Sequence, residues 1–217
     1  MDPTHTITIT TFTALVGAAV GEGLRRHLNT LNYRHPDELD RPPPGPRRWI
    51  PILLALGTAA ITWRHLAIGH PENLLFLLPT AGYLVWVSAI DLDVHRIPFK
   101  PTLATTTVVA VTLGAAALWQ GDPALLIRAT IGGILAYLAF WILNRASHGG
   151  LGMGDVRLAG IIGLTTSALS LWTLWAAITI AALAAAIWAL ITRPTSRTAY
   201  GPWLAGGWLA ATTSLTP

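Results

Sequence analysis

The sequence predicts an all-α polytopic membrane protein with about eight transmembrane helices, and three observations carry that prediction. Apolar residues make up 53% of the 217 residues, charged residues only 11%, and the mean hydropathy is +0.53. Such a balance suits several lipid-embedded spans and does not suit a soluble fold. The apolar residues gather into runs of the roughly 17 to 25 residues needed to cross about 30 Å of hydrocarbon. Most Lys and Arg fall between those runs, which is how membrane topology is written.

In chain order the expected spans are residues 7–24, 49–66, 73–90, 101–119, 124–143, 156–171, 172–192 and 200–215. The first follows Met1-Asp2-Pro3-Thr4-His5, which lacks the basic segment and small-residue cleavage site of a secretory signal, so we expect a retained span. Trp49, Trp63, Trp119, Trp141 and Trp172 stand near predicted span ends, as interfacial aromatics do. The third span ends at Asp91, and Pro98 predicts a break before the fourth, because it lacks an N–H and disfavours an α conformation at Ile97. The sixth and eighth are the shortest.

Charge sets the orientation. With the first residue outside, the inner segments hold Arg25, Arg26, Arg34, Arg41, Arg47, Arg48, Arg96, Lys100, Arg145, Arg157, Arg193 and Arg197, twelve of the fourteen basic residues. Only Arg64 and Arg128 fall outside. The positive-inside rule therefore places residues 25–48 in the cytoplasm. Their Arg41-Pro42-Pro43-Pro44-Gly45-Pro46-Arg47 run favours extended polyproline geometry and reads as a stiff linker. The chain divides into residues 1–48, a first span plus this Arg/Pro-rich loop, and residues 49–217, a transmembrane core. The net charge of +4 comes without an interleaved basic and aromatic stripe, so no nucleic-acid partner is expected. No 20- to 50-residue repeat suggests a solenoid. The absence of cysteine excludes disulfides, zinc-thiolate sites and cysteine nucleophiles.

The same topology brings two acids, 64 residues apart, to the cytoplasmic face: Asp91 in Ile90-Asp91-Leu92-Asp93-Val94-His95-Arg96-Ile97-Pro98, and Asp155 in Gly152-Met153-Gly154-Asp155-Val156-Arg157. A carboxylate beside hydrocarbon is costly, and so is a functional-site hypothesis by default. Each has an ordinary alternative: Asp91, Asp93, His95 and Arg96 as interfacial polar groups, and Asp155 as a helix N-cap after a glycine turn. Two such acids on one face suggest shared-proton chemistry.

Their pattern resembles the type IV prepilin peptidases, polytopic aspartic proteases of the bacterial inner membrane. The resemblance rests on Asp91 before Ile97-Pro98, on Gly152, Gly154 and Asp155, and on Tyr200-Gly201-Pro202-Trp203-Leu204-Ala205, and it extends from about residue 73 to the C-terminus. It implies catalytic roles for Asp91 and Asp155, with Ile97, Pro98, Gly152, Gly154 and Arg157 as motif support. It also implies an aspartic endopeptidase that removes the leader of prepilin-like substrates in type IV pilus or secretion systems, needing no cofactor and no metal. Arg157 departs from the usual Lys, and Phe99 from the usual Asn or Asp. The four-cysteine insertion of the bifunctional members is missing, so cleavage without N-methyl transfer is expected.

Two other functions stand beside it, a proton-coupled transporter, and a catalytically inactive scaffold suggested only by Arg157 and the missing insertion. The first would need acids at staggered depths, whereas these lie on one side. A metal at Asp91, Asp93 and His95 lacks a well-spaced partner, so Asp93 is expected to be an exposed acid near the site. Glu22 is expected as a hydrated interfacial acid and His148 as a loop residue. Gly132, Gly133 and Gly163 are expected to let helices pack closely. The pattern carries no signal for an oligomer.

Overall fold

In the computed structural model, described for residues 3–147, 150–193 and 198–214, eight α-helices form and no strand is present among those residues. They are α1 (Pro3–Asn29), α2 (Trp49–Ala67), α3 (Leu74–Val94), α4 (Phe99–Gln120), α5 (Ala124–Ala146), α6 (Met153–Leu169), α7 (Leu171–Thr192) and α8 (Gly201–Ser214). Six are long and apolar enough to cross a membrane; α6, with 17 residues, and α8, with 14, are the exceptions. The expected order of elements therefore holds, but the sixth and last segments are helices shorter than the other spans. Arg197, His148 and the end of the last predicted span at Leu215 lie outside the described residues.

The stops are local. His95 adopts a left-handed conformation at φ 55°, its N–H closing on the Asp91 carbonyl at 2.9 Å, and this ends α3 one turn beyond the predicted boundary. Pro98, extended at ψ 133°, then opens α4 at Phe99, two residues before the expected start. Pro101 falls in the first turn of α4, where its missing N–H has no intrahelical partner to lose. Between α6 and α7 the chain breaks at Ser170, whose hydroxyl accepts the Thr173 N–H at 3.0 Å. An Ser N-cap of that kind outweighs the continuous apolar pattern that had moved the boundary to residue 171.

Helix α3 is the centre of the bundle. Two-thirds of its most apolar stretch is buried, against 11% for α1 and 17% for α7, whose surfaces face outward. Tyr83 on α3 hydrogen-bonds Thr102 on α4 at 2.6 Å, and the Trp208 indole on α8 donates to Thr165 on α6 at 2.9 Å. Helices α5 and α6 touch through glycine: a methyl group on Gly163 would lie 2.5 Å from the Gly132 carbonyl oxygen. That is the close packing the sequence suggested, and it lets two backbones meet where lipid supplies no hydrophobic drive.

Chain reversals sort the helix ends. At one end, His65 of α2 lies 3.2 Å from the Thr212 carbonyl of α8 and 3.3 Å from the Asn73 amide, which also receives Gln120 of α4. The opposite end gathers the C-terminal ends of α1 and α3, the N-terminal ends of α2, α4, α6 and α8, and the connection 30–48. Apart from Arg64 and Arg128, the described Lys and Arg belong to this second end.

Candidate active site

At that basic end, three helix termini meet around one cavity. It has a volume of about 680 Å³ and is lined by both acids, together with His35, Ile97, Pro98 and Arg157 among others. The structure thus brings Asp91 and Asp155 to one solvent space. The residues of the two acid motifs also meet there, since Gly152 and Gly154 line the same walls as Ile97, Pro98 and Arg157.

Asp91 sits in the last turn of α3, only 4% exposed. Its Oδ2 accepts the Gly201 N–H at 2.8 Å. That amide opens α8, so the carboxylate faces an unsatisfied backbone donor and the positive end of a helix dipole. The close approach favours glycine, because a methyl group at residue 201 would lie 3.0 Å from the same oxygen and push it back. Here the Tyr200-Gly201 motif acquires a physical role: it delivers a backbone amide to the acid 110 residues earlier.

Asp155 occupies the third position of α6 and reaches back to the Gly152 N–H at 3.1 Å. Gly152 has no side chain to return the bond, so half of a capping box forms. The N-cap alternative is corrected in detail: Gly152 is the cap, and Asp155 supports it from inside the first turn. The two motifs touch. A methyl group on Gly154 would lie 2.6 Å from Ile97 Cβ, so this glycine lets the start of α6 pack against the Ile97-Pro98 turn. The Tyr200 side chain lies within electrostatic reach of Asp155 while the next residue holds Asp91.

The two departures from the resembled pattern also meet. The Arg157 guanidinium stands 4.7 Å from the centre of the Phe99 ring, a cation–π contact at the edge of the cavity. A guanidinium stacks flat on an aromatic face where an ammonium does not, so Arg157 and Phe99 suit one another.

Asp93 is not the exposed acid expected from the sequence. Its side chain is 6% exposed and pairs with Arg34, itself 1% exposed, at 2.7 Å, with Arg47 at 3.5 Å. The Tyr33 hydroxyl donates to it as well. Arg34 further donates to the Arg41 and Pro42 carbonyls, and Arg47 to Leu28. Arg96 completes the anchorage by donating to Glu38 at 2.9 Å and to the Tyr33 carbonyl at 2.8 Å. Residues 30–48 are therefore a docked strap, not a free linker, and they place His35 in the cavity wall. Nothing in the sequence pattern pointed to His35.

The strap's titrating groups record this packing. The Asp93 hydrogen bond holds the Arg34 guanidinium above its usual range. Burial, reinforced by Asp93, pushes the Tyr33 phenol up. For Glu38, burial acts upward but is outweighed by hydrogen bonds from Arg96 and the His35 backbone, so its carboxyl falls below its usual range. Glu22 pairs with Arg25 and Arg26 at 2.7 and 2.8 Å while remaining 32% exposed, as a hydrated interfacial acid would. No cluster of three potential metal ligands occurs among the described residues.

The type IV leader peptidase family matches residues 78–191, a stretch that includes both acids and the whole of α4, α5 and α6. The Tyr200-Gly201 turn and the strap fall outside it. No curated protein and no solved structure matches the chain. With the match spanning more than half of its length, the chain belongs to the type IV leader peptidase family.

Proposed function

We propose that this protein is an aspartic endopeptidase in which Asp91 and Asp155 form the catalytic pair. It removes the leader of a prepilin-like substrate at the cytoplasmic face of the bacterial inner membrane. The observation that carries this reading is the single 680 Å³ cavity on which both carboxylates open. Family membership supports the protease class, and the motif turns Ile97-Pro98 and Gly152 to Gly154 support the choice of acids. The concentration of Lys and Arg at the acid end supports a cytoplasmic orientation.

Two acids sharing one cavity resist joint ionisation and titrate as a unit holding one proton. The ionised member takes a proton from water as the water oxygen bonds to the scissile carbonyl carbon. The protonated member gives its proton to the carbonyl oxygen, forming a tetrahedral diol. Collapse reforms the carbonyl as one diol hydroxyl returns its proton to the ionised acid, and breaks the C–N bond as the departing nitrogen takes the proton of the other acid. One proton is left on the dyad, as at the start. The Gly201 N–H holds Asp91 in place throughout without taking part in the transfer. Both acids lie at one end of the bundle, which is unsuited to a proton relay across it. The chain has no cysteine, and the reading comprises cleavage without methyl transfer.

The test is co-expression with a prepilin and an immunoblot for the leader. Asp91→Asn and Asp155→Asn are each expected to abolish processing while the protein still accumulates in the membrane. Processing that survives in either variant overturns the dyad.

A further inference from the structure

A second surface at the same end of the bundle has a composition the peptidase chemistry does not use. Between α2, α3 and α8 runs an apolar groove of about 210 Å³ whose walls include Leu53, Leu84 and Leu209. Directly above it lies a 400 Å³ pocket formed by residues 44–48 of the strap, by Trp49 of α2 and by Leu92 and Asp93 of α3. Trp49 and Leu92 line both, so the two are one continuous depression with an oily floor and a polar mouth.

The charge at the mouth is unbalanced. Asp93, the acid in its wall, is committed to Arg34 and Arg47. Arg48 is exposed, and no acidic side chain among the described residues pairs with it. It immediately precedes the first turn of α2, whose backbone dipole adds to the positive field. Lower down, the groove is lined by Ser88, whose buried hydroxyl has no hydrogen-bond partner among the described residues. A buried hydroxyl left so is costly, about 1–3 kcal/mol. Turned toward the groove, that hydroxyl would donate to an ester oxygen brought to that depth.

We propose that this depression binds one anionic phospholipid: the phosphate at Arg48, the glycerol ester region near Ser88 and Trp49, and an acyl chain in the α2–α3–α8 groove. Charge complementarity selects an anionic lipid over a zwitterionic one, since the mouth offers a cation without a matching acid. Arg47, one of the strap residues that form the mouth, is paired with Asp93, so the lipid lies against the outer side of the same anchor. The proposal is independent of the assignment of the catalytic pair.

The experiment is native mass spectrometry of the full chain released from detergent containing equal amounts of phosphatidylglycerol and phosphatidylcholine. One retained phosphatidylglycerol is expected, favoured by about tenfold, which corresponds to 1.4 kcal/mol. A Cβ at Gly206 would meet no atom within 4 Å, and the residue lines the groove, so Gly206→Leu projects its side chain into the space the acyl chain would take. It is expected to remove the adduct, and Arg48→Gln to remove the preference for negative charge. Arg48→Gln alters an exposed side chain and so remains informative if Gly206→Leu does not fold. Equal retention of both lipids overturns the proposal, as does phosphatidylglycerol retention that neither variant lowers. A hydrophobic prepilin-type peptide whose binding is lost in Gly206→Leu while lipid retention stays intact would also overturn it.

Discussion

Asp91 and Asp93 leave the same helix two residues apart, both largely shut off from water, and the chain treats them in opposite ways. Asp93 faces the strap, where two arginines and a tyrosine hydroxyl saturate its oxygens. Asp91 faces the cavity, where a backbone amide holds one oxygen and no Lys or Arg among the described residues pairs with it. A buried carboxylate locked to cations is a structural anchor, because breaking the pair leaves a charge with nowhere to go. One held only by a dipole keeps its proton affinity available for chemistry. Position on the helix, and not residue type, separates the two roles.

The sharpest way to break this comparison is to remove one carboxylate at a time and read cleavage and stability separately. Asp91→Asn keeps an oxygen for the Gly201 N–H, so thermal unfolding in detergent should be nearly unchanged. Cleavage should fall by at least the 10²- to 10⁴-fold that acid–base groups contribute. If Asp91→Asn unfolds the protein, the acid is an anchor like its neighbour and the distinction collapses.

Asp93→Ala should show the reverse. Leaving Arg34 and Arg47 buried without their acid is expected to cost about 3–5 kcal/mol, read as a lowered unfolding midpoint. Replacing the pair by apolar residues, Asp93→Leu with Arg34→Met, should recover much of that loss because no unpaired charge remains. A double variant no better than Asp93→Ala would show that the strap depends on the Arg34 contacts to Arg41 and Pro42, not on the ion pair.

How far each half of the comparison could be read from the sequence follows from the range of the interactions. The place of Asp91 on the cavity was legible because its signals are local: an acid ending an apolar run, a proline seven residues on, and a positive loop beside it. That of Asp155 was legible for the same reason, through the glycines that surround it. Asp93 was misjudged because its partners lie about 60 residues upstream in a proline-rich stretch that reads as unattached. A composition-based reading assigns such a stretch to solvent, and the partners of a carboxylate are set by tertiary docking. The helix order came from hydrophobic run length alone. The boundary between α6 and α7 did not, because a single Ser N-cap decides it within an uninterrupted apolar run.

The strap itself should loosen with acid, and the sign follows from Glu38. Its folded pKa lies below the ordinary value of 4.5, so its contribution is fully present above that value and is lost as the pH falls through the folded pKa. The hydrogen-exchange protection of residues 33–41, corrected for the intrinsic rate at each pH, should fall on going from pH 5 to lower values, while α3 remains protected. In Glu38→Gln the pH dependence should disappear and the weak protection should be present at neutral pH. Protection that is strong and pH-independent in both proteins would assign the docking wholly to Arg34 and Asp93.

The smallest effect is expected at Glu22, which closes the comparison because it too is flanked by two arginines. Arg25 and Arg26 approach it as closely as Arg34 approaches Asp93, at 2.7 and 2.8 Å against 2.7 Å. The geometry is matched and the solvent is not, since Glu22 remains 32% exposed and Asp93 6%. Water and salt screen an exposed pair, and the unfolded state keeps the same groups hydrated, so little is gained when they meet. Glu22→Gln should therefore leave the unfolding midpoint where it was, at both low and high salt. A drop as large as that of Asp93→Ala would mean that contact geometry, and not burial, distinguishes the anchors of this protein from its ornamented surface.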